Sequence, residues 1–158
     1  MSNTQAMCTS FMGELMTATH NFGTAPVRAV TTADTFKAAL YLASATINAS
    51  TTVYSTTNEV TGINYTAGGV NVTNATAPIA TNSSVTAGVA YWTPSASISY
   101  TTVTLTTAFD CVLIYNSSQS NKAVSVHTFG SQTITAGTFT LTMPANATTT
   151  ALLRLATT

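Results

Sequence analysis

The sequence predicts an all-β chain: an antiparallel two-sheet β-sandwich, jelly-roll-like or Ig-like, with one N-terminal α-helix. Three observations predict it. Phe109–Tyr115 is a seven-residue run of aromatic, aliphatic and β-branched side chains closed by Asn116, Ser117 and Ser118; it is too short for a buried helix and suits a central strand covered on both faces. The segments around it alternate apolar residues with Thr and Ser at period two, the pattern of strands with one buried face. Apolar residues at helical spacing occur convincingly only in residues 4–19.

In chain order, residues 4–19 read as the helix. Met7, Phe11 and Leu15 recur at four-residue steps, as do Cys8, Met12 and Met16, giving one broad apolar face. Ser2 to Gln5 fits a capping box, and Asn21 and Gly23 supply the stop. Gly13 weakens the middle by about 1 kcal/mol relative to Ala, so the helix depends on what it packs against. Such a helix either lies over the sandwich or acts as a Met-rich flap; Met7, Phe11, Met12, Leu15 and Met16 are the candidate partner contacts. His20 is expected to meet the terminal carbonyls of this helix.

The sandwich is expected over residues 33–158, after the turn at Pro26, so that residues 1–158 form a single domain. Thr35–Leu42 reads as the first strand, with Phe36, Leu40 and Leu42 in one phase. Residues 43–61, rich in Ser, Thr and Asn, read as a long loop. Gly68 and Gly69, ahead of Val70 and Val72, mark positive φ or a bulge at a strand entry; no helix follows, as a phosphate-cradling loop would require. Ala87–Thr93 holds the single tryptophan, Trp92, and Pro94 ends it. Ile98 and Tyr100 alternate in one phase and Val103 and Leu105 in the other, which places a bulge or turn at Thr101 and Thr102. Lys122–Phe129 reads as the hairpin partner of the central strand. Gln132–Met143 reads as a short strand, a Gly-containing turn at Gly137 and a strand presenting Phe139, Leu141 and Met143; Ala151–Leu155 is the last of about seven to nine short strands.

Charged residues are only 5% of the chain, four basic and four acidic, for a net charge of zero, against about 25% in typical domains. The surface is therefore built of hydroxyls and amides. That excludes nucleic-acid binding, which needs clustered Lys and Arg, and it favours a protein docked against copies of itself or a larger assembly. The start of the chain lacks a basic region followed by an apolar core, so no secretory signal is expected, and no apolar run approaches a membrane span. The seven Asn-x-Ser/Thr triplets follow from composition.

Chemistry finds little footing. Cys8 and Cys111 lie far apart and form neither a metal nor a redox motif, so two reduced, buried thiols are expected, with a long-range bridge as the alternative. A hydrolytic triad has one conceivable grouping, Cys111, His127 and Asp110, but adjacent strand residues point to opposite faces. The acids Glu14, Asp34, Glu59 and Asp110 offer no local pair for glycoside cleavage. Tyr65, Tyr91 and Trp92 form either a glycan or receptor site or, more simply, part of the core. No catalytic, cofactor-binding or metal-binding residue is assigned.

A set of segments, in this order, is similar to a family of small tailed-bacteriophage virion structural proteins. These are Phe11, Glu14 and Leu15; His20 to Gly23; Asp34 to Leu40; Asn58 to Val60; Tyr65 to Gly69; Leu113 to Asn116; and Thr133 to Leu141. The chain departs from the family pattern in its few acids and in Ser95 to Ile98, where glycines are usual. The resemblance implies a non-enzymatic subunit of the phage particle. The first expectation is a homo-oligomeric capsid decoration or cement protein on the major capsid protein lattice; the alternatives are a tail, collar or fibre-associated subunit, or a host-surface binding module.

Overall fold

The structure, a computed structural model, describes residues 3–16, 18–22, 33–73, 77–81 and 88–156. Among them are eight strands and one short helix: β1 (Ala6–Met7), α1 (Thr9–Met16), β2 (Phe36–Leu42), β3 (Val70–Asn71), β4 (Ile79–Ala80), β5 (Val89–Trp92), β6 (Ile98–Asn116), β7 (Lys122–Leu141) and β8 (Leu153–Ala156). They form two antiparallel sheets, ordered β1-β7-β6-β2-β3 and β4-β5-β8. The chain is thus the expected all-β two-sheet sandwich.

The central strand sits where the sequence places it. Cys111–Asn116 is buried throughout, with β2 on one side (Ala38 opposite Ile114, Leu40 opposite Val112) and β7 on the other (Val112 opposite His127, Leu113 opposite Val126). The run does not stop at Phe109, however. It continues back to Ile98, and β7 runs unbroken from Lys122 to Leu141. The turn expected at Gly137 is absent: Gly137 lies opposite Val103 within the ladder, and Ala136 takes a left-handed conformation there (φ 47°). The bulge expected at Thr101 and Thr102 is present, with Thr102 at φ 52°.

A further register shift between Leu105 and Phe109 lets the long β6–β7 hairpin fold over itself. In a straight strand Tyr100 would stand about 45 Å from Ile114. Its hydroxyl instead donates to the Ala38 carbonyl at 2.7 Å, on the strand paired with Ile114. The rings of Phe109 and Phe139 meet edge to face at 5.1 Å, although Phe139 pairs with Tyr100. Ile98 and Leu141 reach Val112, Ile114 and His127 across a cavity of about 100 Å³. The distal half of the hairpin (Ile98–Leu105 with Ile134–Leu141) therefore covers the face of the proximal half, and the corner falls at the exposed Thr106, Thr107 and Gly130–Thr133. On the β6 side of the distal half, Ile98, Tyr100, Val103 and Leu105 are all 2% exposed or less.

The amino-terminal reading needs correction. Residues 4–8 are not helical: Ala6 and Met7 pair with Val126 and Ser125, Thr4 N–H donates to Ile47 O and Cys8 N–H to Val124 O. Backbone hydrogen bonds to β7 and to the 43–61 loop outweigh the helical spacing, because the ladder satisfies backbone groups that a frayed helix end leaves to water. The sandwich accordingly begins before residue 33, with β1. Ser2 and Gly23, expected to cap and stop the helix, lie outside the described residues. Its end closes through the backbone: Ala18 is left-handed (φ 51°), with Ala18 N–H donating to Leu15 O and Thr19 N–H to Glu14 O, the paired bonds of a Schellman motif.

Gly69 carries a steric requirement. At φ +70° it lies so close to β2 that an added Cβ would fall 1.7 Å from the Ala38 carbonyl oxygen. Gly69→Ala is expected to destabilise the fold by about 3 kcal/mol or more in denaturant titration. Gly130→Ala, whose Cβ would meet nothing within 4 Å, is expected to be neutral or to stabilise by less than about 1 kcal/mol.

Candidate functional site

Two buried polar networks and one apolar cleft gather the side chains that could do chemistry or bind. The first network centres on Glu59, 5% exposed at the end of the 43–61 loop. Its carboxylate accepts from Tyr54 Oη (2.7 Å), Tyr65 Oη (2.8 Å) and the Gly68 N–H (2.8 Å). Tyr65 Oη in turn accepts the Leu40 N–H at 2.9 Å, and Tyr115 Oη donates to Gly68 O at 2.8 Å. Tyr54 stacks on Tyr115 at 4.5 Å and Tyr65 on Tyr100 at 5.9 Å. Burial, with the Glu59 charge nearby, pushes the Tyr54, Tyr65 and Tyr100 phenols up, and Tyr115 to about 12. The phenols are therefore fixed as neutral donors. This network straps the long loop and the Gly68–Gly69 turn onto β2 and β6.

The second network joins α1 to the last residue of the central strand, Asn116, next to Tyr115 of the first. Glu14 accepts from Lys122 Nζ and from His20 Nε2, each at 2.7 Å. His20 Nδ1 faces Asn116 Nδ2 at 3.0 Å; the same amide nitrogen donates to Asp34 Oδ2 at 2.7 Å, and Asn116 Oδ1 accepts the Ser118 N–H. Asp34 is completed by Gln119 Nε2 (3.0 Å) and the Asn21 N–H (2.9 Å). These bonds fix the tautomer. Asn116 can present only its NH₂ to Nδ1, so Nδ1 carries the lone pair and Nε2 carries the proton that Glu14 accepts. Burial pushes the His20 pKa down, outweighing the upward pull of Glu14. Burial raises the Glu14 carboxyl, but the hydrogen bonds and charges of Lys122 and His20 reverse that and leave it lowered. His20 thus works as a neutral tether between helix and sheet rather than at the helix carbonyls.

The candidate partner contacts divide. Phe11 is 2% exposed and belongs to an aromatic cluster with His20 (4.8 Å) and Phe22 (5.9 Å), Phe22 in turn meeting Phe36 (4.4 Å) and Trp92 (4.8 Å). Met7 and Leu15 are half-buried and, with Phe22, Tyr91, Trp92 and Leu155, line an apolar cleft of about 80 Å³ between the amino-terminal segment and the small sheet. Met12 stands 48% exposed. Met16 closes α1, and its side chain lies outside the described residues.

The structure does not assemble the groupings weighed for catalysis or glycan binding. Asp110 accepts from the Asn3 side chain, which also donates to Leu42 O and accepts the Ile47 N–H. The Cys111 thiol is fully buried and pushed up to about 12, and burial drops His127 to about 4 beside Ser125 Oγ at 2.9 Å. Cys8 and Cys111 are both buried free thiols. Trp92 is 2% exposed and Tyr65 is held by Glu59. Among the described residues no group of three His, Cys, Asp or Glu could hold a metal, and no helix is long and apolar enough to cross a membrane. Sequence reasoning missed Glu59 as a hub; the one available signal was an isolated acid in a hydroxyl-rich loop followed closely by Tyr65 and two glycines.

Two outcomes follow from these networks. Tyr65→Phe, which leaves both Glu59 and the Leu40 N–H short of a partner, is expected to cost about 1–3 kcal/mol, and Glu59→Gln about 2 kcal/mol or more, in urea unfolding. Stability is expected to fall with acid. His20, lowered from 6.5, and His127 contribute fully above their unfolded values and lose that contribution as the pH drops below about 6.5; Glu14, lowered from 4.5, loses its own as the pH falls through its folded value. Urea midpoints between about pH 8 and about pH 4 check the sign, and Glu14→Gln, which removes the upward pull on His20, should steepen the fall below about pH 6.5. Compared with known proteins, the sequence matches no family model, no curated protein and no solved structure, so the likeness to phage virion proteins rests on the sequence segments alone.

Proposed function

We propose that the protein is a non-enzymatic structural subunit of a bacteriophage particle, a capsid decoration or cement protein bound to the major capsid protein lattice as a homo-oligomer. The observation that carries this reading is the use of the acids. All four carboxylates, Glu14, Asp34, Glu59 and Asp110, accept hydrogen bonds from the protein's own side chains or backbone. That engagement within the fold weighs against a role for them as general acid or base, or as a charged anchor for a ligand. Much of what faces water is Thr, Ser and Asn, with a few apolar side chains such as Ile63 and Val53 among them, on a sandwich tied together from within.

Such a surface suits a repetitive lattice. Neighbouring copies meet without long-range repulsion, and many weak contacts add through avidity rather than through one tight site. The resemblance of the ordered sequence segments to phage virion proteins supplies the setting. The internal engagement of Trp92 and Tyr65 weighs against a host-surface binding module.

Quantitative mass spectrometry of purified particles of the phage that encodes this chain tests the reading. The expected result is a copy number commensurate with the capsid lattice. A copy number commensurate with a tail, collar or fibre moves the protein to that position, and absence from the particle overturns the structural role altogether.

A further inference from the structure

His20 ties the amino-terminal helix to the central strand through a contact that works in one protonation state only. Its side chain is fully buried, with Nε2 2.7 Å from Glu14 Oε2 and Nδ1 3.0 Å from Asn116 Nδ2. Both hydrogens of the Asn116 amide are committed, one to Nδ1 and one to Asp34 Oδ2 at 2.7 Å, while Oδ1 accepts the Ser118 N–H at 3.0 Å.

An imidazolium carries a hydrogen on each nitrogen. Its Nε2–H still finds Glu14, but its Nδ1–H would point at an NH₂ group. Turning the Asn116 amide over does not repair this, because Oδ1 would then face the Asp34 carboxylate and the NH₂ would face the Ser118 N–H. A proton on His20 therefore breaks either the contact with Asn116 or both of the bonds that hold Asn116 in place.

The charged groups around the ring are Glu14 from α1, Asp34 from the lead into β2 and Lys122 from the start of β7; β6 presents the neutral Asn116 amide, and the rings of Phe11, Phe22 and Phe36 lie within 6.3 Å. Glu14 and Asp34 favour the cation and Lys122 opposes it, but burial is the largest influence and keeps the ring neutral. Glu14 rides on the same segment as His20. Its attraction survives if that segment lifts, and so does nothing to keep it down. Asp34 is already engaged by Asn116, Gln119 and the Asn21 N–H.

We propose that His20 is a proton-operated latch: a proton taken up at Nδ1 turns its bond to Asn116 into a donor–donor contact and frees α1, with the turn that carries His20, from the central strand. β1 stays in its ladder with β7, so the release is local. It uncovers Phe11 and Phe22 and widens the cleft against Trp92, giving the protein an apolar surface whose exposure is set by pH. The latch stands apart from the virion role.

Native-state hydrogen exchange of the full chain, followed by NMR between about pH 7.5 and about pH 5, tests it. The reporters are the Ala18, Thr19 and Asn21 amides, bonded to Leu15 O, Glu14 O and Asp34 Oδ2; an eight-residue helix off its seat does not persist. They are expected to be less protected than Cys111–Asn116 and to exchange at a rate that low urea leaves unchanged, the mark of a local opening. Below about pH 6.5 their protection is expected to fall about tenfold per unit until His20 titrates, because the released state holds one proton more. His20→Gln, which does not titrate, is expected to abolish that slope whether or not the reporters stay protected, and His127→Gln to leave it as in wild type. Ring nitrogen shifts of the wild type need no variant: His20 is expected as the Nε2–H tautomer at the upper end of the range. A charged ring or an Nδ1–H tautomer there, protection that does not change with pH, a slope that survives His20→Gln, or reporters that exchange only together with the central strand overturns the latch.

Discussion

The fold depends on one hairpin closing over itself. A flat two-stranded ribbon of this length would leave its aromatic residues in water, and an isolated hairpin is marginal at best. By bending at Thr106–Thr107 and Gly130–Thr133, β6 and β7 lay Ile98, Tyr100, Val103 and Leu105 over the proximal sheet, and Phe109 comes to rest against both Phe129 and Phe139. Both apolar faces are buried at once. β2, with Ala38 and Ala39 at the contact, is thin enough for Tyr100 and Gly69 to approach its backbone.

Polar groups inside the sandwich do the fastening that charge pairs do elsewhere. Each acid is matched to donors whose number and geometry leave it satisfied: phenols and an N–H around Glu59, amides around Asp34, an ammonium and an imidazole around Glu14. In a low-dielectric setting such networks specify a single arrangement, because a half-made one strands a buried polar atom. Glu59, buried among its donors, is what holds the long loop in place.

The sandwich, the central strand and most strand positions were legible in the sequence because period-two alternation reports burial directly. Two features were not. Met7, Phe11 and Leu15 carry a helical spacing that a strand followed by a short helix also satisfies, and only the ladder with Val126 and Ser125 decides between them. Gly137 was read as a turn because Gly in a Thr-rich run usually marks one, whereas here the ladder absorbs the irregularity at Ala136 and continues. The polar networks were illegible for another reason. Glu14 and Lys122, or Asn116 and His20, are about a hundred residues apart, and no local pattern announces a long-range hydrogen bond. The expectation for His20 followed the dipole of its own helix, but the left-handed Ala18 had already closed that helix and freed the imidazole to turn inward.

The order in which these parts emerge during synthesis gives the amino-terminal segment a particular burden. Met7, Cys8 and Phe11 leave the ribosome well before their seats on Ser125, Val124 and Trp92 are made. The hairpin is contiguous in sequence and can zip as soon as it is translated, while the front of the chain must wait, apolar and uncovered, for more than a hundred residues to follow. The clasp of Glu14 on Lys122 can therefore close only after the start of β7 has emerged.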